Sequence, residues 1–172
     1  MGLRWGATGV AMQPEILSRM THTDGRWARR AAGIALLCFA ALAAAQDSAQ
    51  KLDPVRLNAG IHNITAELAW TPQQREIGLM FRTAMSANDG MLFVFEQPAK
   101  QCFWMRNTLI PLSVAFIEDD GTVVNIDDMK PQTLDSHCSA KPVRFVLEMN
   151  EGWFAKRGIK AGSRLRGGPL GH

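Results

Sequence analysis

Apolar and polar residues alternate with a period of two over two neighbouring stretches in the first half of the chain. Val55 and Leu57 interleave with Arg56 and Asn58, and Ile64, Ala66 and Leu68 interleave with Thr65, Glu67 and Ala69. With Asn58-Ala59-Gly60 between them, the pattern predicts two strands joined as a hairpin. Thr71-Pro72-Gln73-Gln74 opens a short helix reaching about Met80, with Thr as cap, Pro at the first position and Gln reaching back. Met91 to Phe95 is an unbroken apolar run bounded by Gly90 and Pro98, which predicts a buried strand. Cys102 to Leu112 mixes aromatics with Met105, Asn107 and Thr108 and is expected as a half-buried, strand-like segment.

Leu112 to Ile117 and Thr122 to Ile126 are apolar runs around Asp120-Gly121, a strong hairpin signal. The polar stretch from Asp127 to Lys141 is the longest loop and a candidate pocket wall. Val143 to Leu147 returns to strand character. Asn150 is placed to cap a short helix over residues 152–157, which Gly158 ends, and a last strand covers Arg164 to Arg166. About eight short strands and two short helices, without a βαβ rhythm, predict a mainly β domain: a sandwich or a partly closed barrel.

Hydropathy before residue 46 changes the domain boundaries. Arg26, Arg29 and Arg30 precede the apolar run Ala31 to Ala45, which ends in three alanines before Gln46-Asp47-Ser48. A basic start, an apolar middle and a small-residue exit make a secretory signal peptide, cleaved after Ala45 and starting at Met1 or at Met20. The alternative is an uncleaved anchor, although about 15 apolar residues fall short of the roughly 20 that span a bilayer. Bulky Leu37 before Cys38 speaks against lipid attachment. The expected layout is signal 1–45, flexible leader 46–54, β domain 55–166 and tail 167–172.

Composition then reads differently. The precursor carries 19 Lys plus Arg against 16 Asp plus Glu, but five arginines and two acids fall in residues 1–45, leaving 14 against 14. A neutral domain lacks the positive stripe that phosphate backbones attract, so nucleic acid is not an expected partner. Cys102 and Cys138 alone remain, and an exported domain favours joining them as a structural disulfide. Two reduced thiols, or a redox or metal pair, are the alternatives.

The motifs Arg75-Glu76-Ile77-Gly78-Leu79-Met80, Gly90 to Phe95, Cys102 to Leu112, and Val146-Leu147-Glu148 with Gly152 together resemble the exported domain-of-unknown-function family 192, over roughly residues 55–166. The resemblance implies a jelly-roll-like β sandwich and a periplasmic location in a Gram-negative bacterium, and it brings no established activity. The chain departs from the family's pattern at Ser113, where an acid is usual, and near Gln132, where a cysteine is usual.

Catalytic signatures are absent: there is no Gly-x-Ser-x-Gly elbow, His-Glu-x-x-His, Cys-x-x-Cys or phosphate loop. Asp135-Ser136-His137 are adjacent and read as a solvated turn. Met80, Met85, Met91, Met105, Met129 and Met149 raise Cu(I) binding as an alternative, but scattered methionines are usually core filler, so no metal or cofactor is expected. The candidate ligand-binding set is Arg75, Arg82, Trp104, Met105, Asn107 and Glu148. Arg75 and Arg82 either lie on a helix surface or hold a carboxylate such as Glu148, or an anionic ligand. The expected function is a non-catalytic module binding a small ligand or an envelope protein, with no membrane span after cleavage. The alternative is an enzyme of unfamiliar type acting on a carboxylate or sugar-like substrate, or a metal- or redox-handling protein.

Overall fold

A computed structural model describes residues 48–171; the expected signal segment, with Met20 and Cys38, lies outside the described residues. β1 (Pro54–Ala59) and β2 (His62–Ala69) form the predicted hairpin, Leu57 opposite Ile64. α1 (Pro72–Ile77) begins as its sequence dictates. The Thr71 hydroxyl accepts the Gln74 N–H at 3.2 Å, and the Gln74 side-chain oxygen accepts the Thr71 N–H at 2.9 Å. The helix stops before Met80 because Gly78 leaves helical geometry at φ 51° and ψ −131°.

β3 (Asp89–Ala99) then runs parallel to β2, placing Thr65 beside Asp89 and Ala69 beside Phe93. This β2–α1–β3 crossover corrects the expectation that the chain has no βαβ rhythm. A parallel pair requires such a crossover, and a six-residue helix is too short to print a helical period on the sequence.

β5 (Leu112–Ile117), β6 (Val123–Met129), β8 (Val143–Asn150) and β9 (Leu165–Arg166) complete one seven-stranded sheet in the order β6-β5-β8-β3-β2-β1-β9. The sheet is mixed only at β2–β3 and curls into a half-barrel. β4 (Cys102–Phe103) and β7 (His137–Cys138) form a separate two-stranded ribbon. At Gly90 a Cβ would come within 2.4 Å of the Glu148 carbonyl oxygen and the Met149 sulfur, so β3 and β8 can meet here only without a side chain.

Both faces of the central strands are covered, which is why β5 is buried at all six positions. On the first face, Leu92, Val94, Ala115, Ile117, Phe145, Leu147 and Met149 pack under Trp153, Phe154, Ile159 and Leu165. On the second, Met91, Phe93, Leu112, Val114, Phe116 and Val146 pack under Leu79, Met105 and Ile110. The Phe103 ring meets Phe93 edge-on at 4.8 Å, fixing the ribbon to the second face.

Three expectations need correcting. Only Cys102–Phe103 of the strand-like segment is strand, and residues 104–111 form a loop. The reason is a competing set of backbone partners: the Met105 N–H donates to Thr133 O, while Met105 O accepts from the N–H groups of Thr108 and Gln132. The second helix is a single 3-10 turn at Ala155–Arg157, ended by Gly158 as expected. Asn150 caps nothing there, because its side-chain amide donates to Met85 O and Ser86 O. The leader differs from a flexible one from Gln50 onward: the Gln50 side chain donates to Gln74 O at 2.8 Å and Gly78 O at 2.9 Å, and Leu52 N–H donates to Glu67 at 2.7 Å. No helix among the described residues is long and apolar enough to cross a membrane.

Candidate functional site

Strand register lays one row of side chains across the second face. Val114 of β5 pairs with Asp127 of β6 on one side and Glu148 of β8 on the other; Glu148 pairs with Met91 of β3, which pairs with Glu67 of β2. The row therefore carries three acids separated by apolar residues. The outer two are matched. Glu67 accepts from Arg82 at 2.6 Å and from Leu52 N–H, and Asp127 meets His137 Nδ1 at 2.6 Å.

Glu148, in the middle, has no hydrogen-bond or ion-pair partner for its carboxyl among the described residues, although only 4% of it is exposed. Burial pushes its pKa from 4.5 up to about 8, so the group is a neutral acid at neutral pH. Ser113 and Ser139 are hydrogen-bonded, to Asp128 and Gly152 and to Gln101 respectively. Thr108, 5% exposed and in the loop over the second face, has no partner for its hydroxyl among the described residues. Arg82 Nε is sealed from water and has no acceptor.

The loops of this region hold strained backbone. Phe81, Asn107 and Gln132 are the non-glycine residues with positive φ among the described residues, at 64°, 59° and 59°. They are strung together: Phe81 N–H donates to Asn107 O at 2.9 Å, and Gln132 N–H donates to both Met105 O and Thr108 O at 3.1 Å. Each left-handed residue costs about 1–2 kcal/mol, and such residues cluster at functional sites. The Cys102–Cys138 disulfide joins the directly paired strands of the ribbon from which two of these loops depart.

The six candidate residues separate into three groups. Met105, Asn107 and Glu148 belong to the second face and its covering loop, with Met105 fully buried. Arg82 joins them through Phe81. Trp104 is half-exposed on the outside of the loop. Arg75 lies apart: it donates to Trp70 O, Val94 O and both Glu96 oxygens, and its guanidinium stacks 4.8 Å from Phe95. The expectation that an arginine holds Glu148 is not met, since Arg75 takes Glu96 and Arg82 takes Glu67.

Sequence reasoning named Thr108 only as a polar group of its segment, and it missed Glu67 and the Asp127–His137 pair. Glu67 was legible, because it shares the strand face of Thr65 and Ala69 rather than that of Ile64 and Ala66. The Asp127–His137 pair depends on the two-residue ribbon, which carries no pattern.

No group of three or more His, Cys, Asp or Glu among the described residues could hold a metal. Met91, Met105 and Met129, with half-buried Met85 against them, share one core cluster, while Met149 sits in the other. A cleft of about 540 Å³ on the first face is lined by Ser113, Asp128, Phe154, Ile159 and Lys160. Its Ser113 hydroxyl is occupied, donating to Asp128 and accepting Gly152 N–H at 2.8 Å.

The chain is similar to a solved protein from Sinorhizobium meliloti described as a candidate transcription regulator, at 38% identity and TM-score 0.65, covering 72% of this chain and 98% of that one. It is also similar to a protein of unknown function from Novosphingobium aromaticivorans, at 34% identity and TM-score 0.61, covering 72% and 94%. No curated protein matches it significantly. The profile of the family described as Uncharacterized ACR matches residues 55–167, and by that match the chain belongs to the DUF192 family.

Proposed function

We propose that the chain is an exported, non-catalytic binding domain, working in the periplasm, whose small ligand is received beneath the loops 104–111 and 130–136 at Glu148. The observation that carries this reading is the unpartnered carboxyl of Glu148 at 4% exposure, since a buried polar group left without a partner costs about 1–3 kcal/mol. A ligand that supplies the partner recovers that cost. Strained loops pinned by a disulfide give such a site a fixed rim, and the apolar neighbours Met91, Val114 and Met105 give it a wall. In architecture, two covered faces support the jelly-roll-like sandwich, with β1–β2–β3 and β5–β6 as its two halves.

The test is native mass spectrometry of protein recovered from the periplasmic fraction. The expected result is a chain beginning at Gln46 with an added small mass that is lost on denaturation and is missing from Glu148→Leu. Bare protein, together with no thermal shift across a metabolite panel, would overturn the binding reading.

A further inference from the structure

The chemistry of the unpartnered groups narrows the class of ligand. Of the four buried polar residues among those described, the two that lack side-chain partners, Thr108 and Glu148, are both on the second face or in the loop covering it. The sealed donor Arg82 Nε is one residue from Phe81, whose N–H is bonded to the carbonyl of Asn107, the residue before Thr108. Three groups on this side of the sheet therefore offer hydrogens and find no acceptor among the described residues: a carboxylic acid, a hydroxyl and a guanidinium edge. Around them the surface is apolar, with Met91 and Val114 flanking Glu148 in register and Met105, Leu79 and Ile110 above the same face.

From this donor excess inside an apolar wall we infer that the ligand is a small monocarboxylate with a short aliphatic tail, its two oxygens accepting from Glu148 and Thr108 near Arg82. This rests on the binding function proposed above and names its ligand. An ammonium ligand fits poorly, because Glu148 is held neutral and offers it no negative charge. A polyol fits poorly too, since few acceptors line the face and its wall is aliphatic. Met91 and Met105 are fully buried, so the tail enters by displacing their flexible side chains, which adapt to different lengths.

The acid makes the binding depend on pH. Above about 8 Glu148 loses its proton, ceases to donate and repels an anion, so affinity falls as pH rises. The charged groups of the elements around it are Glu67 and Arg82 from the β2 side, Asp89 farther along β3, Arg144 farther along its own strand and paired with Asp119, Asp127 and His137 from the β6 side, and Arg106 on the covering loop. β5 contributes none on this face.

The experiment is isothermal titration of the oxidised chain with straight-chain monocarboxylates of four to eight carbons, and with the matching primary amines and alcohols, from pH 6 to 9.5. Expected is binding of carboxylates alone, about tenfold weaker at pH 9 than at pH 7. Glu148→Gln keeps an amide donor and binds without that pH dependence, and His137→Asn leaves the midpoint where it was, assigning it to Glu148. Circular dichroism of both variants checks that they fold. Amines that bind more tightly as pH rises would overturn the ligand class while leaving a binding domain. If no probe of any class binds and the periplasmic protein is also bare, both readings fail.

Discussion

The two faces of one sheet are built by different means. The first is closed by aliphatic and aromatic side chains from strands, from Trp153, Phe154 and Ile159 around the 3-10 turn and from the C-terminal strand, and its buried serine is hydrogen-bonded twice. The second is closed by loops, and there the acid, the hydroxyl and the guanidinium nitrogen go without partners while three residues take left-handed backbone. A packed face reports what the fold needs in order to stand. A face that keeps polar groups unmatched under strained loops costs stability, which points to a use outside the fold.

That contrast can be tested by stability measurements. The largest loss expected from a substitution is on the first face: Phe145→Ala, at a fully buried site, costs about 4 kcal/mol in urea denaturation. The loss should be the same at pH 5 and pH 8, because its cross-strand neighbours Val94 and Ile117 are aliphatic and the Arg144 guanidinium over the ring stays charged throughout.

On the second face the dominant variable is pH. Glu148 is protonated in the folded chain up to about pH 8 but only to its ordinary value of 4.5 once unfolded. Between those values the folded state holds the extra proton, so stability falls as pH rises from 4.5 to about 8 and levels off above. The full loss is on the order of 5 kcal/mol. Glu148→Gln removes it, and the variant's melting temperature should be nearly flat across that window and above the wild type's at pH 8. Parallel curves for the two proteins would mean that the acid is already satisfied and that the faces do not differ.

The smallest effect is in the loops. Gln132→Gly relieves a left-handed residue at an exposed position and should stabilise by about 1 kcal/mol, read from the same urea curves. A destabilised variant would show that the Gln132 side chain, rather than its backbone, holds the loop.

Much of this fold was legible from hydrophobic pattern, and the reason is local. The β1–β2 hairpin, the capping box at Thr71 and the Asp120-Gly121 turn are each decided by residues within a few positions of one another. The segment after Cys102 was misread because its apolar residues satisfy a strand pattern, whereas its backbone is claimed by Thr133 and Gln132 almost thirty positions away. The pairing of Arg82 with Glu67 was hidden for the same reason. The resemblance pointed to Glu148 and Asn107, but the contrast between a partnered Glu67 and an unpartnered Glu148 needs the register of four strands.

The place of β8 in the sheet has a consequence for the order in which the fold can form. β1, β2 and β3 make one local assembly and β5 with β6 makes another; β8 joins them between β3 and β5, and residues 163–166 tie β1 to the β5–β6 turn. Until residue 150 is available the two halves have no common core, since the inner positions of both faces wait for Phe145, Val146 and Leu147. A chain emerging from its amino end, from a ribosome or through a translocation pore, therefore stays open until nearly all of it has passed and then closes in one late step.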